Sequence, residues 1–374
     1  MLAKTPPMGW NSWNTFAQNI NEEMIMQTAD AMVETGLAAL GYEYVVIDDC
    51  WSLRDRGEDG RLVADPEKFP HGMKYLADYV HSKGLKFGMY SCAGTRTCAE
   101  YPASFEKEMI DAQTFADWGV DFLKYDFCNK PVHANGPLCY YRMSMALKAS
   151  GREILFSACN WGADNVERWI RSAGSHMYRS TGDIHDNFQS IKDIALSQID
   201  KLGYSTPGCF NDMDMLVCGM YNKGNVARGG CDDTEYKTHF ALWCMCASAL
   251  MIGCDVRNMT PETAALLKNP ELIALNQDPE ARAPFAFVRT DDGQLALFRH
   301  LANNEYALGI FNLSDRDRNI FCNFYDVGLS NNMGLCFEMK DMFTGEVVRT
   351  NTDYYRCPLK AHDCALYRAK LVKA

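Results

Sequence analysis

From residue 8 to residue 256 short apolar runs recur, and most of them close on polar or acidic residues. They are MGWNSW (8–13), YEYVVIDDCW (42–51), LKFGMYSC (85–92), VDFLKYDFC (120–128), EILFSACNW (153–161), HMYRSTGDI (176–184), PGCFNDMDML (207–216) and ALMIGCDV (249–256). Between them lie stretches with apolar residues three or four apart, at 22–40, 72–83, 104–118, 137–150, 163–173, 187–202, 233–248 and 260–268. That alternation predicts strand, helix, strand, helix throughout. Asn21 followed by Glu23 reads as a helix start, and Gly36 or Gly41 as its stop. Eight strand–helix units in succession imply a parallel α/β sheet, and eight units close a (β/α)8 TIM barrel. An open doubly wound sheet is the alternative, but no glycine-rich phosphate loop follows the first strand.

Beyond Asn276-Gln277-Asp278-Pro279 the texture changes. PFAFVRT, LALFRHL, EYALGIFNL, RNIFCNFYDV, LCFEMKDM and DCALYRAKL read as strands, broken by turn clusters such as Asp291-Asp292-Gly293 and Asn303-Asn304. The division expected is a catalytic barrel over 1–282 and a C-terminal antiparallel β-sandwich over 283–374.

In a barrel of this kind the C-terminal strand ends converge on one mouth. Asp48, Asp49, Asp126, Asp183, Asp212, Asp214 and Asp255 all sit at such ends. Trp10, Trp13, Trp51, Tyr90 and Trp161 lie nearby in the sequence. Carboxylates that grip hydroxyl pairs, beside aromatic faces for a pyranose ring, make a sugar site. Two such acids can cleave a glycoside: a retaining enzyme needs an ionised nucleophile and a protonated acid about 5–5.5 Å apart. Lys124 lies two residues before Asp126 on the same strand face and is expected to keep it ionised. Each acid alone has a plainer reading: Asp186 and Asp255 as helix caps or ion pairs, Asp212 as a loop holder beside Asp214, Trp10 and Trp51 as core. A metal site competes, but the strand ends carry no paired histidines, His185 being the nearest.

Composition narrows the picture. The 374 residues carry a formal net charge of -11, with no basic cluster, which argues against nucleic acid or an anionic membrane as partner. No apolar run reaches membrane-spanning length, and no signal peptide is visible after Met1, so a cytoplasmic location is expected. The 16 cysteines are scattered singly and read as buried thiols.

Several longer motifs then point to one family. TPPMGWNSWNTF, VVIDDCW, DPEKFPHGMKYLADYVHSKGLKFGMYS, TFADWGVDFLKYDFC, STGDIHDNF, NDMDML and LNQDP resemble glycoside hydrolase family 27, in family order from residue 5 to about 280. The resemblance implies a (β/α)8 barrel with an antiparallel β-sandwich, and a retaining exo-hydrolase of terminal α-D-galactosides that uses no metal or cofactor. It places the nucleophile at Asp126 and the acid/base at Asp183. It sets Asp48 and Asp49 on the axial 4-hydroxyl and the 6-hydroxyl, with Trp13, Tyr90 and Lys124 as further sugar contacts. Arg179 and Asp214 fall around the 2- and 3-hydroxyls, Met215 forms a wall, and Cys98 and Cys128 match a disulfide beside the sugar. Relatives of this kind often form homo-oligomers.

Two departures matter. The motif after the fifth strand reads Cys159-Asn160-Trp161-Gly162-Ala163, where the family usually has Glu or Gln between Cys and Trp. Asn160 and Ala163 leave room for an acetamide, so an α-N-acetylgalactosaminidase is the alternative, with a β-L-arabinopyranosidase behind it. Cys50 also lacks the first-loop partner found in many secreted relatives, which fits a reducing compartment and leaves the Cys98–Cys128 pairing open. Other readings are a binding protein on a dead barrel, a transglycosylase using the same two acids, and a metal-dependent isomerase.

Overall fold

A computed structural model describes residues 2–351 and 353–374, leaving Met1 and Thr352 outside. Eight strands form one parallel sheet: β1 (Met8–Asn11), β2 (Tyr44–Val46), β3 (Lys86–Cys92), β4 (Phe122–Asp126), β5 (Leu155–Cys159), β6 (Met177–Arg179), β7 (Phe210–Asp212) and β8 (Leu250–Ile252). They pair in the order β7-β6-β5-β4-β3-β2-β1-β8. The ring closes just beyond β7, where Leu216 bridges Ile252 in parallel and donates its N–H to Met251 O at 2.7 Å. The short β7 ends early because Asp214 takes a left-handed φ of 78°, which breaks strand pairing and re-aims its side chain.

Helices cover the outside. Glu22–Glu34 begins at Asn21, whose side chain accepts from Met24 N at 2.9 Å. Met24, Ile25, Ala29 and Met32 of that helix are buried, so its apolar stripe faces the strands. It stops at Glu34, just before the left-handed Gly36 (φ 83°), while Gly41 caps a separate single turn. Similar side-chain caps start Gly136–Ala149 at Asn135, Phe188–Gln198 at Asn187 and Asp233–Met245 at Asp232. Two expectations differ. The stretch 163–173 is a 3-10 segment, Ala163–Arg168, followed by one turn, Ile170–Ala173, because Asp164 and Asn165 take left-handed φ of 57° and 54°. A helix at Pro270–Asn276, capped by Asn269, went unread beside its proline.

The rest of the chain is antiparallel. Strands β9 (Phe285–Arg289), β10 (Gln294–His300), β11 (Tyr306–Asn312), β12 (Arg318–Asn323), β13 (Leu335–Asp341), β14 (Val347–Arg349), β15 (Tyr354–Leu359) and β16 (Cys364–Lys373) follow in turn. Six form a sheet in the order β14-β13-β16-β11-β10-β9, and β12 pairs with β15 against it. The sequence reading missed β14, which is only three residues long, and β15, where the buried Cys357 and Leu359 alternate with exposed Tyr354, Arg356 and Pro358. Alternation explains the packing of β10: Ala296 and Phe298 point into the sandwich core, while Leu295 and Leu297 join the core shared with the barrel. The same shared core takes in Ala307 and Phe311 of β11 and Cys364 and Leu366 of β16, so the sandwich docks through the middle of this sheet.

Candidate active site

Period-two alternation along β4 builds the floor and the mouth from one strand. Phe122, Lys124 and Asp126 point inward, whereas Leu123 and Tyr125 pack outward against the helix layer. Tyr125 meets Tyr140 edge-on at 5.6 Å. The register brings Tyr90 of β3 level with Lys124, and Ser157 of β5 on the other side. The lower interior is filled by Tyr44, Val46, Phe122, Leu155, Met177 and Met251. That apolar plug dries the base of the barrel and leaves the polar ends above it as the walls of a cavity of about 640 Å3.

Trp13, Asp48, Asp49, Tyr90, Cys98, Lys124, Asp126, Cys128, Trp161, Arg179, Asp183, Asp214 and Met215 all line that cavity. Asp48 is held on every side: its Oδ2 accepts from Asn11 Nδ2 and Lys124 Nζ, each at 2.8 Å, and its Oδ1 accepts from Asp49 N at 2.9 Å. Asp49 accepts from Cys50 N at 2.7 Å and Ala99 N at 3.1 Å. Burial nevertheless pushes its carboxyl up to about 6.

Asp126 is 6% exposed, accepting from Tyr90 Oη at 3.0 Å and from Phe127 N at 2.9 Å. Burial raises its pKa, against the lowering fields of Lys124 and Arg179. The Lys124 field acts in the direction expected, favouring the ionised form, but burial outweighs it. Lys124 makes its ion pair with Asp48, so Asp126 feels it only as a nearby charge. Across the cavity the Asp183 side chain is 69% exposed and ion-paired with Arg179. Although partial burial raises its pKa, that guanidinium holds it below the usual range. Arg179 also faces Asp214 Oδ2 at 3.2 Å, and Asp214 accepts from Ile184 N and Met215 N at 2.7 Å each. Asp212 stands behind, its Oδ1 accepting from Asp214 N at 2.9 Å; burial, then repulsion from Asp214, lifts it to about 7.

Other expected residues lie elsewhere. Asn160 is fully buried and does not reach the cavity; its Nδ2 donates to Ala163 O at 3.0 Å, tying the turn instead. Ala163 also stays off the wall, which at that point is Trp161. Trp10 and Trp51 are core residues, spending their indole N–H groups on Cys254 O and Tyr90 O, both at 2.9 Å. Asp255 caps a short turn and pairs with Arg257, and Asp186 accepts from Asn222 N and Tyr236 Oη. Cys98 and Cys128 are joined as a disulfide, and the other 14 cysteines are free and buried.

Sequence reading missed Asn14, Ile184, Asn225, Val226 and Arg228 on the wall. The last three come from YNKGNVARGG after β7, whose glycines and asparagines marked a long loop at the catalytic end of the barrel. Among the described residues no helix is long and apolar enough to cross a membrane.

Residues 5–278 match the family model described as Alpha galactosidase A, and residues 291–369 the Alpha galactosidase C-terminal beta sandwich domain. The chain belongs to the α-galactosidase family, glycoside hydrolase family 27. It is 43% identical to Alpha-galactosidase 3 of Arabidopsis thaliana, covering 98% of this chain and 82% of that one. Among solved structures, a putative α-galactosidase/melibiase from Bacteroides fragilis superposes with a TM-score of 0.93 at 40% identity, over 99% of this chain and 80% of its own. The α-galactosidase I of Mortierella vinacea gives 0.89 at 33% identity, over 98% and 97%. The match to this family runs through both the barrel and the sandwich.

Proposed function

We propose that this chain is an α-galactosidase that hydrolyses terminal α-D-galactosides by double displacement. Asp126 attacks the anomeric carbon while Asp183 protonates the departing oxygen; water then cleaves the glycosyl-enzyme with Asp183 acting as base. The observation that carries this assignment is the contrast between the two acids. Asp126 is buried, fixed by two hydrogen bonds and close to the cavity floor. Asp183 is exposed at the rim, where a leaving group and water pass.

Asp48 and Asp49 hold ring hydroxyls from the floor, and Lys124 balances their charge. Tyr90 orients the nucleophile, and Trp13 and Trp161 offer apolar faces. In the free enzyme Arg179 spends its charge on Asp183 and Asp214. Substrate hydroxyls that take over Arg179 release Asp183 to hold the proton it must donate. Asn160 and Ala163, the residues expected to admit an acetamide, do not line the cavity, and this supports the galactoside over the N-acetylgalactosaminide. Initial rates on nitrophenyl α-D-galactoside, α-N-acetyl-D-galactosaminide and β-L-arabinopyranoside test the assignment. Dominant cleavage of the first supports it; dominant cleavage of either other sugar overturns it.

A further inference from the structure

We propose that, when the Cys98–Cys128 disulfide is reduced, its two sulfurs and the Asp126 carboxylate form a binding site for a soft divalent cation, and that filling it stops turnover. One sulfur of each cysteine and a carboxylate oxygen of Asp126 lie within 4.8 Å of one another, the only such group of three among the described residues. Two thiolates and a carboxylate are the donor set that zinc and cadmium select, and a fourth, tetrahedral position faces the open cavity for water.

The site survives reduction because the disulfide is not what holds its parts together. The cysteine loop is pinned to the segment after β4 by Thr95 N to Asn129 O at 3.2 Å. Asn129 Nδ2 also donates to Thr97 O and Glu100 Oε1, at 2.9 Å each. Ala99 N is tied to Asp49 at 3.1 Å, and Cys92 Sγ lies 3.2 Å from Cys128 O. The chains approach closely at Gly94, where an added Cβ would lie 1.9 Å from Cys128 O. Reduction therefore leaves both sulfurs facing Asp126, which Cys98 Sγ already touches at 3.5 Å.

Cys98 is exposed, so a reductant can reach it. A dithiol gives up two electrons and two protons, closes its own disulfide and leaves Cys98 and Cys128 as thiols. Each thiol passes its proton to water as the cation binds. The site stands on its three donors; its effect on turnover rests on Asp126 as nucleophile, since a carboxylate bound to a cation cannot attack carbon.

The test adds cadmium chloride to the enzyme before and after reduction by a phosphine, which takes oxygen from water as it reduces the bond and leaves no competing thiol. Expected in the reduced enzyme are one bound cadmium per chain, an ultraviolet sulfur-to-cadmium charge-transfer band, and near-complete loss of hydrolysis that a chelator restores. The oxidised enzyme, with the same 14 buried thiols, shows none of these. Asp126→Asn in the reduced state keeps the band, which comes from the two sulfurs, but weakens binding because one of the three donors loses its charge. Equal cadmium uptake in the oxidised and reduced enzyme overturns the site. So does a full-strength band in a folded Cys98→Ser/Cys128→Ser variant. Cadmium bound with hydrolysis unchanged overturns the inhibition and counts against Asp126 as nucleophile.

Discussion

Two buried guanidiniums show how differently the two ends of this molecule use charge. Arg179, in the mouth, is 6% exposed at its side chain and faces two carboxylates, Asp183 and Asp214. Burial works against its charge, but those partners outweigh it and raise its pKa. Arg299, where the sandwich meets the barrel, is fully buried and meets no carboxylate at ion-pair distance among the described residues. Its Nη1 donates to Leu275 O at 3.0 Å and to Cys244 O at 3.3 Å, carbonyls at two helix C-termini. Its Nε and Nη2 have no partner, and burial drops its pKa to about 10. Helix ends offer partial negative charge, enough to orient a cation but not to neutralise it. The mouth keeps its charges paired in a form that substrate can rearrange; the interface spends its charge on holding two units in register.

If that division is right, lesions in the mouth cost rate and lesions at the interface cost stability. The largest effect is expected from Asp126→Asn: turnover falls by about 10^4-fold or more, as for removal of other nucleophiles. Its melting temperature should hold or rise, because a buried carboxyl is being neutralised. Rates and circular dichroism on the same sample check this, and wild-type-like turnover, with the substitution verified by mass, sinks the assignment.

Next comes Asp183→Asn, with a loss of about 10²–10⁴-fold, typical of a general acid–base group. The loss should be smaller for a nitrophenyl leaving group than for a sugar, since nitrophenolate departs without a proton. Equal losses on both substrates would remove Asp183 from the acid role.

Arg179→Met sharpens the comparison by pH. Arg179 holds the Asp183 pKa down, so its removal lets that pKa rise. The limb of the kcat/KM profile that belongs to Asp183 should move to higher pH, beyond any fall in the maximum. A limb that stays put would show that the ion pair does not tune this acid. Arg299→Met should do the reverse: kcat and KM unchanged, with stability lower by about 1–3 kcal/mol because buried carbonyls lose their donor. A kinetic effect there would break the division.

The smallest effect concerns stability against pH. The Asp49 and Asp212 carboxyls are raised in the folded chain, to about 6 and about 7. Groups raised in this way bind protons more tightly folded than unfolded, so their contribution is fully present below the unfolded carboxylate range. It is lost as pH rises through those two values. Thermal midpoints should therefore fall across that window, and Asp212→Asn should flatten its upper part. A wild-type midpoint that stays level through both values would contradict the shifts.

Much of this was legible in the chain. Period-two runs closing on acids located the strands and the mouth, and 13 of the 14 site residues read from the sequence line one cavity. The exception is Asn160, which shares a motif with Trp161. Only the left-handed Trp161 (φ 58°) decides that one residue of the pair faces the cavity and the other turns inward. Trp10 and Trp51 stood open between core and sugar site in the sequence and prove to be core: an indole reads alike in both places until its N–H partner is known. Arg228 was hidden because nothing in a loop's composition says which wall it will form.

The sequence by itself determined the succession of elements, the change of texture near residue 280 and which acids stand at strand ends, because alternation and turn signals act over a few residues. The tertiary structure alone decided that Lys124 makes its ion pair with Asp48 while its field also reaches Asp126, and that Arg179 reaches Asp183 and Asp214 together. It alone set two sulfurs beside the proposed nucleophile. Those outcomes depend on distances between strands far apart in the chain, where burial and pairing compete for the same charge.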